Sequence, residues 1–138
     1  MRLGGNQKED LIRKVPLFAR CSRGEVKQIA QIADEIDLDE GTEMTREGAP
    51  GREFFVLLEG TAEVERGGQK VNALGAGDFF GEIALISEEP RTATVRASSP
   101  VHALVVTARS FRRLIDEQPE IKTSVMEAMA DRLAPETL

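Results

Sequence analysis

Between residues 36 and 107 helical spacing gives way to short segments with a two-residue period, and this switch limits the fold more than any other feature. The segments EIDLDE, TEMTRE, EFFVLLEG, TAEVERG, KVNAL, TATVRA and VHALVV are separated by EGT, EGAPG, EG, RGGQ, GAGD and SSP. Short strands parted by glycine-bearing turns at regular spacing predict an all-β sandwich or barrel. Gly67-Gly68 predicts a tight hairpin within it, because glycine takes positive φ without steric penalty.

Helical periods flank this region. Leu11, Ile12, Val15, Leu17 and Phe18 predict a first helix that Pro16 ends or kinks. Ser22 and Glu25 have the spacing of a capping box, and Val26, Ile29, Ala30 and Ala33 give the helix they open one apolar face. After Val106, Phe111, Leu114 and Ile115 share a face, Pro119 breaks the run, and Ile121, Val125, Met129 and Leu133 recur every four residues. The expected organisation is one domain over residues 1–138: helices about 8–33, β-structure about 36–107 and helices about 108–133.

Composition removes several function classes. A net charge of −6 argues against non-specific nucleic-acid binding, so any anion site must be built locally. No apolar run approaches the roughly 20 residues that span a bilayer, and the N-terminus lacks the apolar region of a secretory signal. The single cysteine, Cys21, excludes an internal disulfide and fits a reducing cytoplasm. It reads as a small structural residue between helices. His102 is the only histidine, whereas a cupin-type metalloenzyme needs two or more with a carboxylate. With no nucleophile–base pair in evidence either, neither catalysis nor a bound metal is expected. His102, in an apolar strand, reads as structural, and Phe79 and Phe80 as core residues.

The stretch GDFFGEIALISEEPRTATV carries chemistry. Gly77 and Gly81 permit backbone conformations that other residues resist. Glu82, Ile83, Ala84, Leu85 and Ile86 suit one helical turn, whose leading N–H groups converge on an anion. Arg91, after Pro90, can bring a planar guanidinium over the same point and match two phosphate oxygens at once. Glu82 would repel a phosphate directly but suits a neighbouring hydroxyl, as acidic groups do with ribose. Together these describe a site for a sugar phosphate, with apolar residues for a base.

The stretch resembles the phosphate-binding cassette of the cyclic nucleotide-binding domain family, which includes catabolite activator regulators, protein kinase regulatory subunits and cyclic-nucleotide-gated channels. GDFFGEIALI, PRTATV and the preceding GAPGREFFVLLEGTAEV carry the likeness, which extends from VPLFARCS to the last helix. The resemblance implies a β-roll of jelly-roll type with N- and C-terminal helices, and a non-catalytic sensor whose ligand is cAMP or cGMP, without further cofactor. It assigns ligand binding to Gly81, Glu82, Ile83, Ala84, Arg91, Thr92 and Ala93. Among these, Glu82 takes the ribose 2′-hydroxyl and Arg91 the cyclic phosphate, while the backbone N–H groups of Ala84 and Thr92 and the Thr92 hydroxyl complete the cradle. Val64 and Val71 are implied for the base pocket. A threonine in the position of Thr92 contacts guanine in relatives that prefer cGMP, but bacterial relatives with it also take cAMP, the ligand favoured here.

Two departures stand out. Arg52 follows Gly51 where the family often has an acidic residue. The last helix also lacks the aromatic that caps the base in some members, which leaves Met126, Met129, Arg132, Leu133 or a partner chain for that role. The alternatives are a degenerate β-roll with no nucleotide, serving as a protein-interaction module, and a fragment of a longer transcription regulator. The chain itself shows no helix-turn-helix or other DNA-binding motif. Expected partners are the nucleotide, a second copy of the chain or an effector domain, and no membrane.

Overall fold

The computed structural model describes the backbone of residues 3–137 and the side chains of residues 3–130. It divides into two compact units, Met1–Ala33 with Ser110–Leu138, and Asp34–Arg109. The first is helical. It holds α1 (Gly5–Arg13), a 3-10 turn (Pro16–Phe18), α2 (Arg23–Gln31), nearly all of α3 (Ala108–Glu117) and α4 (Pro119–Thr137). Val15 is extended ahead of Pro16, as the proline ring requires of its predecessor, and this separates α1 from the 3-10 turn.

The capping box at α2 forms as the spacing predicts. Ser22 Oγ accepts from Glu25 N–H (3.2 Å) and Glu25 Oε1 from Ser22 N–H (2.9 Å). Pro119 occupies the first position of α4, where its missing N–H leaves nothing unmet. Ile12, Leu17, Phe18, Val26, Ile29, Phe111, Ile121 and Val125 are all buried, with the rings of Phe18 and Phe111 6.0 Å apart. Helix α4 runs past the expected end at residue 133 to Thr137.

The second unit is the expected β-roll. Its strands are β1 (Asp34–Leu38), β2 (Glu43–Thr45), β3 (Glu53–Glu59), β4 (Ala62–Arg66), β5 (Gln69–Leu74), β6 (Phe79–Phe80), β7 (Thr94–Ala97) and β8 (Val101–Thr107). They form two antiparallel four-stranded sheets, ordered β1-β8-β3-β6 and β2-β7-β4-β5. The two-residue period sends alternate side chains inward. Phe55, Leu57, Ala103 and Val105 of the first sheet thereby join Met44, Ala62, Val95 and Ala97 of the second in one core.

Gly67 and Gly68 turn the β4–β5 hairpin with φ of 59° and 80°. The two-residue β6 was too short to read as a strand from sequence. Its phenylalanines are half-buried: Phe80 stacks on Phe55 at 5.1 Å, and Phe79 meets Phe54 edge-on at 6.3 Å.

Candidate functional site

The site is assembled by two loops of the β-unit that pair along their backbones. Arg91 N–H donates to Ala49 O and Gly48 N–H to Arg91 O, both at 2.8 Å. Pro50 and Pro90 form an isolated antiparallel bridge beside them. Just beyond, the buried Thr45 hydroxyl donates to Ala93 O (3.0 Å) and accepts from Val95 N–H (3.2 Å). Residues 45–50 are thus a rail on which the segment carrying Arg91 is set.

The opposite wall comes from the turn after β6. Gly81 has φ 84°, in the left-handed region that favours glycine, and heads a 3-10 helix, Glu82–Leu85. A Cβ at Gly81 would lie 2.6 Å from Arg91 Nη1 and 2.7 Å from Glu53 O. At Gly51 a Cβ would press on Ala84 Cβ (3.0 Å) and on Arg91 Cδ and Nε (3.2 Å each). The guanidinium therefore passes through a slot that exists because two positions lack a side chain.

Within the slot, Arg91 Nη2 donates to Glu53 O (2.5 Å) and Nη1 more weakly to Gly81 O (3.5 Å). Both partners are neutral carbonyls. Burial lowers the guanidinium pKa from its ordinary value, and the nearby Glu53 carboxylate offsets this in part. An arginine remains charged through such a shift, so the site presents a half-desolvated cation suited to an incoming anion.

Beside it opens a cavity of about 270 Å³. Six residues nominated from sequence line it: Gly81, Glu82, Ile83, Ala84, Arg91 and Thr92. Gly51, Glu89 and Pro90 also line it and were not nominated. Ala93 is not among the lining residues, and its carbonyl is held on the rail by Thr45. The N–H of Ala84 donates to Gly81 O (3.1 Å), so the short helix engages a donor that the resemblance gives to phosphate. Arg52, the departure noted above, is exposed and does not line the cavity.

The base-pocket residues of the β-unit lie elsewhere. Val64 packs against the β-roll core, and Val71 is 53% exposed on β5; neither lines the cavity. Met129 is half-buried on α4, Met126 is half-exposed there, and Arg132 and Leu133 fall outside the described side chains. His102 stands apart from the cavity, its Nδ1 2.8 Å from Asp37 Oδ1 and its Nε2 2.8 Å from Glu35 Oε2. Among the described residues, no group of three His, Cys, Asp or Glu is placed to hold a metal ion, and no helix is long and apolar enough to cross a membrane.

Comparison with known proteins bears on the family and the fold. A profile of the cyclic nucleotide-binding domain matches residues 35–118. The chain is 38% identical over 119 residues to a cAMP-dependent protein kinase regulatory subunit of Mycosarcoma maydis, covering 78% of this chain and 22% of that protein. It is 34% identical over 126 residues to a cGMP-dependent protein kinase of Caenorhabditis briggsae, covering 84% of this chain and 17% of the kinase. It thus spans less than a quarter of either relative. The crystal structure of the N-terminal domain of a transcriptional regulator from Streptomyces coelicolor superposes with a TM-score of 0.81 at 28% identity, covering 93% of this chain and 92% of that one.

Proposed function

The chain belongs to the cyclic nucleotide-binding domain family, and from that premise we propose that it is a non-catalytic sensor that binds cAMP in the cavity beside Arg91. The observation that carries the reading is the Arg91 guanidinium, half-buried in a slot between two glycines and held by backbone carbonyls rather than by a carboxylate. A cyclic phosphodiester supplies a directly bonded negative charge and can take both guanidinium nitrogens at once. Glu82, on the same cavity wall, accepts the ribose 2′-hydroxyl. Thr92 lines the cavity next to Arg91 and suits either cAMP or cGMP.

Binding shifts the population of conformers, and α4 passes that shift to an effector domain or a second copy of the chain, in the cytoplasm. Residues 1–138 act as one functional domain on this reading.

Calorimetric titration with cAMP and then cGMP tests it, on the wild type and on Arg91→Ala. The variant is expected to lose about 2–5 kcal/mol, because the phosphate stays in the cavity without its partner. That corresponds to a dissociation constant raised roughly 30-fold or more. Unchanged affinity in Arg91→Ala would overturn the site assignment. Absence of binding in the wild type would favour an interaction module with no nucleotide.

A further inference from the structure

We propose that the Glu47 side chain is a positioning group for the nucleotide site, tying the β4–β5 hairpin to the rail on which Arg91 is set. Its effect on affinity rests on the reading above, while its structural part stands on hydrogen bonds alone. Glu47 Oε1 accepts from Gly67 N–H at 2.9 Å, and Glu47 N–H donates to Thr94 Oγ1 at 3.0 Å. The next two residues pair with Arg91 itself, through Gly48 N–H and Ala49 O. Three consecutive residues therefore reach the hairpin turn, β7 and both backbone polar groups of the phosphate-binding arginine.

Each bond has a chemical reason. Gly67 lies in the exposed turn between β4 and β5, outside the strand ladder, so its N–H is left to water or to an acceptor from another segment. A carboxylate is the strongest acceptor a side chain offers. Glu47 is not among the residues lining the cavity, so its influence on the ligand passes through the segment paired with the rail, which carries Arg91 and Thr92. A Cβ at Gly51 would lie 3.2 Å from Arg91 Cδ and Nε, so the side chain passes close to that backbone, and a drift of its own backbone would misalign the guanidinium.

The experiment compares wild type, Glu47→Ala and Glu47→Gln by amide hydrogen exchange without ligand and by cAMP and cGMP titration. Glu47 is exposed, so neither variant threatens the core. In Glu47→Ala, exchange at Gly67, Gly48 and Arg91 should accelerate about five- to tenfold while Leu104 in β8 is unaffected. The cAMP dissociation constant should rise, by at most about tenfold, since one hydrogen bond present with and without ligand can pass on no more than its own worth. Glu47→Gln keeps an accepting oxygen and should restore most of both. Wild-type exchange at Gly48 and Arg91 in Glu47→Ala would overturn the proposal, as would equal acceleration at Leu104, which marks a merely structural role. A wild type that binds neither nucleotide would remove the functional reading, and the exchange comparison would still decide the tether.

Discussion

At Arg91 the chain sets a cation against neutral oxygens and leaves a cavity beside it. A carboxylate partner would have satisfied the guanidinium and removed its attraction for a ligand; two carbonyls orient it and leave its charge available. Gly81 is the smallest change that tests this arrangement. Alanine there would have to adopt φ 84° and place its Cβ 2.6 Å from Arg91 Nη1. We expect Gly81→Ala to lose about 1–3 kcal/mol of stability in denaturant titration, the range for a non-glycine residue in a strained backbone region. It should also weaken cAMP binding, because the guanidinium must move to make room. Wild-type affinity in a folded Gly81→Ala would show that the slot does not set the arginine. Cys21 offers no comparable chemistry: burial, reinforced by Glu25, pushes its thiol up to about 12, so it stays protonated and unreactive at neutral pH.

Among the elements, the β1–β8 pair carries an ionic clamp. Asp37 and His102 face each other across the ladder, with Glu35 two residues before Asp37 on β1 and Glu59 opposite His102 on β3. Both ring nitrogens approach carboxylate oxygens at 2.8 Å, and only an imidazolium can donate to both. The hydrogen bond to Asp37, then that to Glu35, raises the His102 pKa against a smaller opposing effect of burial. Because the folded value lies above the unfolded one of about 6.5, the clamp's contribution is complete below that pH and is lost as pH rises through the folded value. The melting temperature of His102→Gln should therefore fall furthest below wild type near pH 6, with the gap narrowing by pH 9. A gap independent of pH would refute the imidazolium account. The same histidine read as structural from its apolar strand; its carboxylate partners stayed hidden because they lie 65 and 67 positions away.

For the molecule as a whole, net charge works against an anionic ligand, so local geometry has to outweigh a total of −6. Matched residues 35–118 take in β2 to β8, most of β1, all of α3 and Gln118, while α4 lies beyond them. If α4 carries the signal, its amides should respond to ligand. Backbone amide shifts at Val125 and Met126 should move on addition of cAMP to wild type and stay fixed in Arg91→Ala. A last helix indifferent to saturating cAMP would remove the transmission step and leave the binding site intact.

Local rules were enough for the order of elements. The change of hydrophobic period, Ser22 with Glu25, Gly67-Gly68 and Pro119 each act within a few residues, so they were legible in the chain itself. Glu82 and Arg91 were legible for a similar reason, since a glycine turn and a proline fix their spacing. Tertiary structure decided what touches them. Glu53 and Gly81 act through carbonyl oxygens, which every residue possesses and no sequence distinguishes. Gly51 and Glu89 reach the cavity only because the loops are paired, and Val64 turned to the core because the pleat left it no other side. Pattern follows from forces along the chain; contact follows from pairing between segments far apart in it, which only the folded molecule brings together.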